Sequence, residues 1–324
     1  MVRSDFNGCA SYWRNNHVEE KNSSSSFKKY LVIPLFAATL ILPSSIHPSS
    51  ALTFNPKNAV YRLEETLENR VDRTFNRGIT KHNLGSKVKA RIEKLVGSED
   101  SRKELELILS KLSAYDDYFE QASRETGYDI NFIKAYVAQE SEGNTHAESH
   151  KGAAGLGGLM PVAAREVELT VNHNVDERFD PKAIVASSKY MKKYIDYFKD
   201  HVVGLIAYNA GPTWTLDNLS KILGHADIVK NAMIPYESRD YILQVAAKMQ
   251  IFSDPSRFNI NFSKAKPMSS LRVGEYVAGK DVPLNKVAKL HNVKVTDLKM
   301  VNPAIRSDFV PKGTKVHIPK GPSI

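Results

Sequence analysis

Phe132-Ile133-Lys134-Ala135-Tyr136-Val137-Ala138-Gln139-Glu140-Ser141 is the stretch on which the reading of this chain turns. Phe132, Ile133, Tyr136 and Val137 recur at three- and four-residue spacing, so they share one face of a helix. Asp129 stands where an N-cap is expected, and Gly127 ends the preceding helical pattern carried by Tyr118, Phe119 and Ala122. Glu140 follows Tyr136 by four positions and Val137 by three, which puts a carboxyl on the apolar face. Two readings stand. The side chain either swings into solvent at the helix end, or it stays in a partly dry site. In a dry site burial raises its pKa and lets it hold a proton near neutrality, as a general acid must.

Working outward, Gly152-Ala153-Ala154-Gly155-Leu156-Gly157-Gly158 follows the helix. Glycines let a backbone approach a ligand closely, and Leu156, Leu159, Met160 and Pro161 give this loop apolar anchors. Ala207-Tyr208-Asn209-Ala210-Gly211-Pro212 adds a phenol and an amide before a turn. Such groups suit a sugar, with polar tips for hydroxyls and flat faces for the ring. Helices are expected near 161–170, 180–199, 201–209 and 237–250, and almost nothing alternates with period two, so this part is mainly α.

These motifs resemble the lytic transglycosylase family, the SLT or goose-type lysozyme-like group. The match runs through Glu140-Ser141, Gly152-Ala153-Ala154-Gly155-Leu156 with Leu159-Met160-Pro161, Ala207-Tyr208-Asn209-Ala210-Gly211, and Pro235-Tyr236-Glu237-Ser238-Arg239-Asp240-Tyr241. The resemblance implies a lysozyme-like catalytic fold over 115–252 and cleavage of the β-1,4 bond between N-acetylmuramic acid and N-acetylglucosamine, leaving a 1,6-anhydro ring. It implies Glu140 as sole acid and base, with Ser141, Ser149, Met160, Ala207, Tyr208, Asn209 and Tyr241 around the glycan, and neither metal nor cofactor. Two other readings share these residues: a peptidoglycan-binding scaffold with little turnover, and a hydrolytic goose-type lysozyme.

The chain also departs from the family pattern. Glu142-Gly143 stand where a small residue and an aromatic are usual. Gly157-Gly158 replace an apolar residue and a glutamine. A lost hydrogen bond and lost apolar contact together remove a few kcal/mol of expected binding.

Residues 52–114 read as an N-terminal helical region, with Val88, Ile92 and Leu95, then Leu105, Ile108, Leu109 and Leu112, at helical spacing. Residues 253–271 carry Pro255, Pro267, Ser269 and Ser270 and read as a linker. Residues 272–319 read as a small α+β module of order βααβ. The strands are Glu275-Tyr276-Val277 and Lys315 to Pro319, and the helices Asn285 to Leu290 and Val295 to Val301. Through Val287 to Val293, Leu298, Asn302-Pro303 and Val316 to Pro319 this module resembles a LysM domain, a fold that grips N-acetylglucosamine runs. The combination resembles the membrane-bound lytic transglycosylase D type.

Residues 1–51 read as a signal peptide or signal-anchor. Lys28 and Lys29 precede an apolar run from Tyr30 to Leu42, and Ser49-Ser50-Ala51 offers small residues for cleavage. The run falls short of the ~20 residues of a spanning helix. It implies export to the periplasm or envelope, with membrane association if the segment is retained. The single cysteine, Cys9, excludes an intrachain disulfide and thiolate zinc sites. The net charge of +9 favours polyanions, but no nucleic-acid motif accompanies it, so the expected partner is the glycan strand.

Overall fold

The computed structural model describes residues 77–225 and 227–320. The expected export segment 1–51, and residues 52–76 of the expected helical region, lie outside the described residues. Among the described residues no helix is long and apolar enough to cross a membrane.

The chain folds as a helical body followed by a small α+β module. In the body, α1 spans Gly85–Val96, α2 Glu99–Ser113, α3 Asp116–Thr126 and α4 Ile130–Ser141. After the glycine-rich loop come α5 (Pro161–Glu166), α6 (Ala183–Phe198), α7 (His201–Ala210), α8 (Pro212–Asp217), α9 (Leu219–Leu223) and α10 (Tyr236–Ser253). The spacing signals hold where the helices are long. Gly127 adopts the left-handed C-cap of α3, and its N–H donates to the Ser123 carbonyl at 2.8 Å. Asp129 caps α4 by accepting from the backbone N–H of Asn131 at 2.6 Å and Phe132 at 3.2 Å. α5 ends earlier than the pattern suggests, just before Glu168 takes a positive φ of 64°. α8 and α9 are too short for a periodic signal to announce them.

The core forms around α4 and α10. Phe132, Ile133, Tyr136 and Val137 are fully buried, as their shared face requires. Ile242, Val245, Ala246 and Ile251 of α10 join the same cluster. The Tyr136 hydroxyl is satisfied inside by Ser187 Oγ at 3.0 Å and Ser188 Oγ at 2.8 Å, both on α6. Asp200 caps α7 and also receives His82 Nε2 at 2.8 Å and Lys81 Nζ at 2.7 Å, tying the N-terminal turn to the core.

Residues 253–271, expected as a linker, lie along α2. Ile260 enters the core at 2% exposure. The Ala265 N–H donates to Ser113 Oγ and the Met268 N–H to the Ala114 carbonyl, each at 2.8 Å. Proline and serine content signals irregular backbone, and here that backbone finds its partners on a helix instead of in water.

In the C-terminal module β1 (Arg272–Val277) pairs antiparallel with β4 (Lys315–Pro319), around α11 (Leu284–Leu290) and α12 (Val295–Val301). A second pair, β2 (Val282–Pro283) with β3 (Phe309–Val310), is too short to leave a pattern in sequence. Asn302 is buried and spends its amide inside. It donates to the carbonyls of Leu298 and His317 and accepts from the His317 N–H, all at 2.7 Å. Leu284, Val287, Leu298, Val310 and Val316 fill the module's own core.

The module does not hang free. Val175 and Ile305 form a β-bridge, the Asp176 N–H donates to the Ala304 carbonyl at 2.8 Å, and the Arg306 N–H to the Asn174 carbonyl at 2.9 Å. The Arg306 guanidinium lies 4.1 Å from the centre of the Phe179 ring. Arg272 donates to the Tyr118 hydroxyl at 2.6 Å.

Candidate active site

Four segments converge on a cleft with room for about 90 Å³ of solvent: the end of α4, the glycine-rich loop, the end of α7 and the start of α10. Its lining includes Glu140, Ser149, Gly158, Met160, Tyr208 and Asn209.

Glu140 sits at the C-terminal end of α4, partly buried. Tyr241, on α10 and 4% exposed, donates its hydroxyl to Glu140 Oε1 at 2.7 Å. Burial raises the Glu140 pKa from 4.5 to about 7, against the opposing pull of the Tyr241 hydrogen bond and the Lys248 charge. Of the two readings open at the level of sequence, the dry one describes the structure.

The glycine-rich loop lies over the acid. Gly158 has φ +59°, and a Cβ there would fall within contact distance of Glu140 Oε2 and 2.9 Å from Cδ. Only glycine lets backbone and carboxyl share this space. The loop is fixed from two sides. The Tyr208 hydroxyl donates to the Gly157 carbonyl at 2.5 Å. Arg178, 6% exposed, donates to the carbonyls of Gly152 at 2.5 Å and Leu159 at 3.2 Å while pairing with Asp176 at 2.6 Å. At Gly155 (φ +76°) a Cβ would collide with the Arg178 backbone, so the loop and the Arg178 segment are in tight contact. Arg178 carries no motif and is two residues from the backbone bridge to the C-terminal module, so only coordinates reveal its part.

The other residues singled out in sequence separate into three groups. Ser149, Met160, Tyr208 and Asn209 line the cleft. Ser149 Oγ accepts from the Ala153 N–H at 3.0 Å, and Asn209 Oδ1 accepts from Ser238 Oγ at 2.7 Å. Tyr241 is not in the lining and reaches the site through Glu140. Ser141 and Ala207 do not face the cleft. Ser141 is 2% exposed, and its hydroxyl donates back to the Val137 carbonyl at 3.0 Å, the usual local bond of a serine in a helix. Ala207 is fully buried under the cleft floor. Lys151, Pro235, Glu237 and Ser238 also line the cleft. Pro235, Glu237 and Ser238 fall within the last sequence motif, whereas Lys151 carries no spacing signal.

Tyr241→Phe tests the hydrogen bond to the acid. Losing a donor to the charged form raises the Glu140 pKa, so the carboxyl's titration moves up by about 0.5–1 unit. Carbon-13 NMR of the Glu140 carboxyl checks this, and an unmoved midpoint would remove the Tyr241 hydroxyl from control of the acid.

The helical scaffold thus presents to a polar cleft a carboxyl, Glu140, that burial lets hold a proton near neutrality, as a general acid must. Residues 117–223 match the family described as "Transglycosylase SLT domain". The chain is 23% identical over 171 residues to the membrane-bound lytic murein transglycosylase D of Escherichia coli strain K12, covering 52% of this chain and 37% of that protein. It is 29% identical over 125 residues to the membrane-bound lytic murein transglycosylase F 2 of Alkalilimnicola ehrlichii, covering 36% of this chain and 26% of that protein. The chain therefore carries a transglycosylase SLT domain and is related through it to the lytic murein transglycosylases. It spans little more than a third of the length of the first of these relatives. Among solved structures, the 70 kDa soluble lytic transglycosylase SLT70 of Escherichia coli overlaps 43% of this chain and 24% of its own, at 22% identity and a TM-score of 0.38. The complex of the 70-kDa soluble lytic transglycosylase with bulgecin A overlaps 65% of this chain and 38% of its own, at 20% identity and a TM-score of 0.40.

Proposed function

We propose that this protein is a peptidoglycan lytic transglycosylase. It cleaves the β-1,4 bond between N-acetylmuramic acid and N-acetylglucosamine, with Glu140 as sole acid and base. The observation that carries this reading is the environment of Glu140. Its carboxyl lies in the cleft, bonded to Tyr241 and covered by Gly158, with a pKa raised by burial to about 7. Near neutrality a large fraction of it holds the proton that the first step needs.

In that step the Glu140 acid gives its proton to the bridging oxygen as the bond from C1 of the muramyl residue breaks. The N-acetylglucosamine side leaves with a new 4-hydroxyl. The carboxylate then accepts the proton of the muramyl 6-hydroxyl as that oxygen bonds to C1. The ring closes as a 1,6-anhydro sugar, the acid is restored, and no water is consumed. Tyr241 stabilises the carboxylate between the two transfers, when charge develops on it. Tyr208 holds the loop wall through Gly157, and Ser149 and Asn209 offer polar groups to sugar substituents.

The βααβ order of the module at 272–319 fits the LysM-like reading, and a glycan-binding role for it on the same polymer is part of this proposal. With the apolar segment near the N-terminus, this makes the protein an exported enzyme of the cell envelope, held at a membrane if that segment is retained.

Digestion of purified peptidoglycan with the full chain, followed by mass spectrometry of the fragments, tests the reading. Anhydromuramyl ends are expected. Reducing ends would replace the proposal with a hydrolase, and intact glycan that still sediments with the protein would replace it with a binding protein.

A further inference from the structure

Lys248 lies in the middle of α10 with 8% of its surface exposed. It is seven residues, two helical turns, beyond Tyr241, on the same side of the helix. Helical side chains lean toward the N-terminus, so the long stem of Lys248 points back toward the Tyr241 level. Its ammonium donates to Gln139 Oε1 at 2.8 Å, the side chain immediately before Glu140. A buried ammonium is costly, and this one is held by a neutral amide and not by a carboxylate. Mutation to a well-packed apolar residue would remove that cost, so a buried ammonium bonded to the residue that precedes the acid calls for a role.

We propose that Lys248 is a positioning residue for Glu140: anchored by Gln139, the residue that precedes the acid, it keeps a buried positive charge behind the helix end and steadies the carboxylate formed when the proton leaves. The assignment of the role in catalysis rests on the proposed function, but the electrostatic coupling does not.

The groups facing this pair come from four elements. On α4 and its C-terminal turn are Tyr136, Glu140 and Glu142; on α10, Tyr241 and Asp240; on α2, Glu104; on α7, Tyr208. Asp240 is already bound by Arg91 of α1. Glu142 leads the carboxylates that act on Lys248. Burial lowers the Lys248 pKa to about 8, and those carboxylates oppose the fall. The ammonium in turn pulls the Glu140 pKa down against burial, which alone would carry it above about 7.

Carbon-13 NMR of the Glu140 carboxyl, assigned by its loss in Glu140→Gln, tests the coupling without needing turnover. In Lys248→Gln, which keeps a polar partner for Gln139 and removes the charge, the Glu140 midpoint is expected to rise by about 0.5 unit, less than in Tyr241→Phe, because the charge pulls less than that hydrogen bond. Lys248→Arg, which keeps the charge, should hold it within a few tenths. An unchanged midpoint in folded Lys248→Gln overturns the proposal. Coupling is reciprocal, so a second measurement needs no substitution at 248: Glu140→Gln should lower the Lys248 Cε midpoint by a similar amount. An unmoved Lys248 midpoint also overturns it. In the digestion assay the descending limb of the pH–rate profile should move upward with the carboxyl in Lys248→Gln. If the NMR midpoints shift while wild-type protein yields no cleavage products, the coupling stands and the lyase reading alone fails.

Discussion

Glu140→Gln should yield a folded protein that has lost glycan cleavage by a factor of about 10²–10⁴ or more, the range ascribed to a positioned proton donor. Glutamine has the shape of the acid and can still accept from Tyr241, but it cannot give a proton to a bridging oxygen. The same substitution should make the protein more stable, and the pH dependence shows why. Folded Glu140 titrates at about 7, against 4.5 for an ordinary glutamate. Below about pH 4.5 the proton is bound in both folded and unfolded chains, and the two side chains behave alike. Between pH 4.5 and 7 the unfolded chain releases its proton first, so wild-type stability falls. Above pH 7 the loss is complete. The advantage of Glu140→Gln should thus grow across that window to on the order of 2 kcal/mol. At roughly 2–4 °C per kcal/mol, thermal unfolding at pH 4.5 and pH 8 will resolve it. An equal difference in Tm at both pH values would mean that the carboxyl is not dehydrated.

Gly158→Ala should be the change in the loop that strikes the acid most directly. The new Cβ would meet the Glu140 carboxyl, and alanine would have to hold φ +59°. The backbone cost is about 1–2 kcal/mol. Either the carboxyl or the loop must move, and a displacement near 1 Å costs about 10²-fold in rate. The expected result is a Tm lowered by several degrees and a kcat reduced about 10²-fold with a smaller change in KM. Wild-type kcat in a folded Gly158→Ala would show that the loop does not set the position of the acid. Glutamine at 158, the residue that the family pattern leads one to expect, would meet the same wall.

The helix that carries the acid was legible because its signals are local. Asp129, Gly127 and the Phe132–Tyr136 face each act within a few residues. The glycine loop was legible as a loop, yet nothing in its sequence shows that Gly158 lies on the carboxyl. Lys248 was not legible: it is one polar position among apolar ones on α10, and its partner Gln139 is 109 residues away. Ser141 was placed in the site by its motif, but its hydroxyl bonds to its own helix, a choice made by side-chain rotation and not by spacing. The docking of the C-terminal module was hidden because it uses backbone groups of Asn174 and Asp176, which carry no periodic pattern.

That docking has a mechanical consequence. The bridge from Val175 to Ile305 holds the C-terminal module at a set separation from the cleft, with the Phe179–Arg306 contact as a second pin. A module on a free tether would let that separation wander. Held this way, the chain is a caliper: under the proposed function, the distance between a sugar gripped by the module and the bond cut in the cleft is built into it.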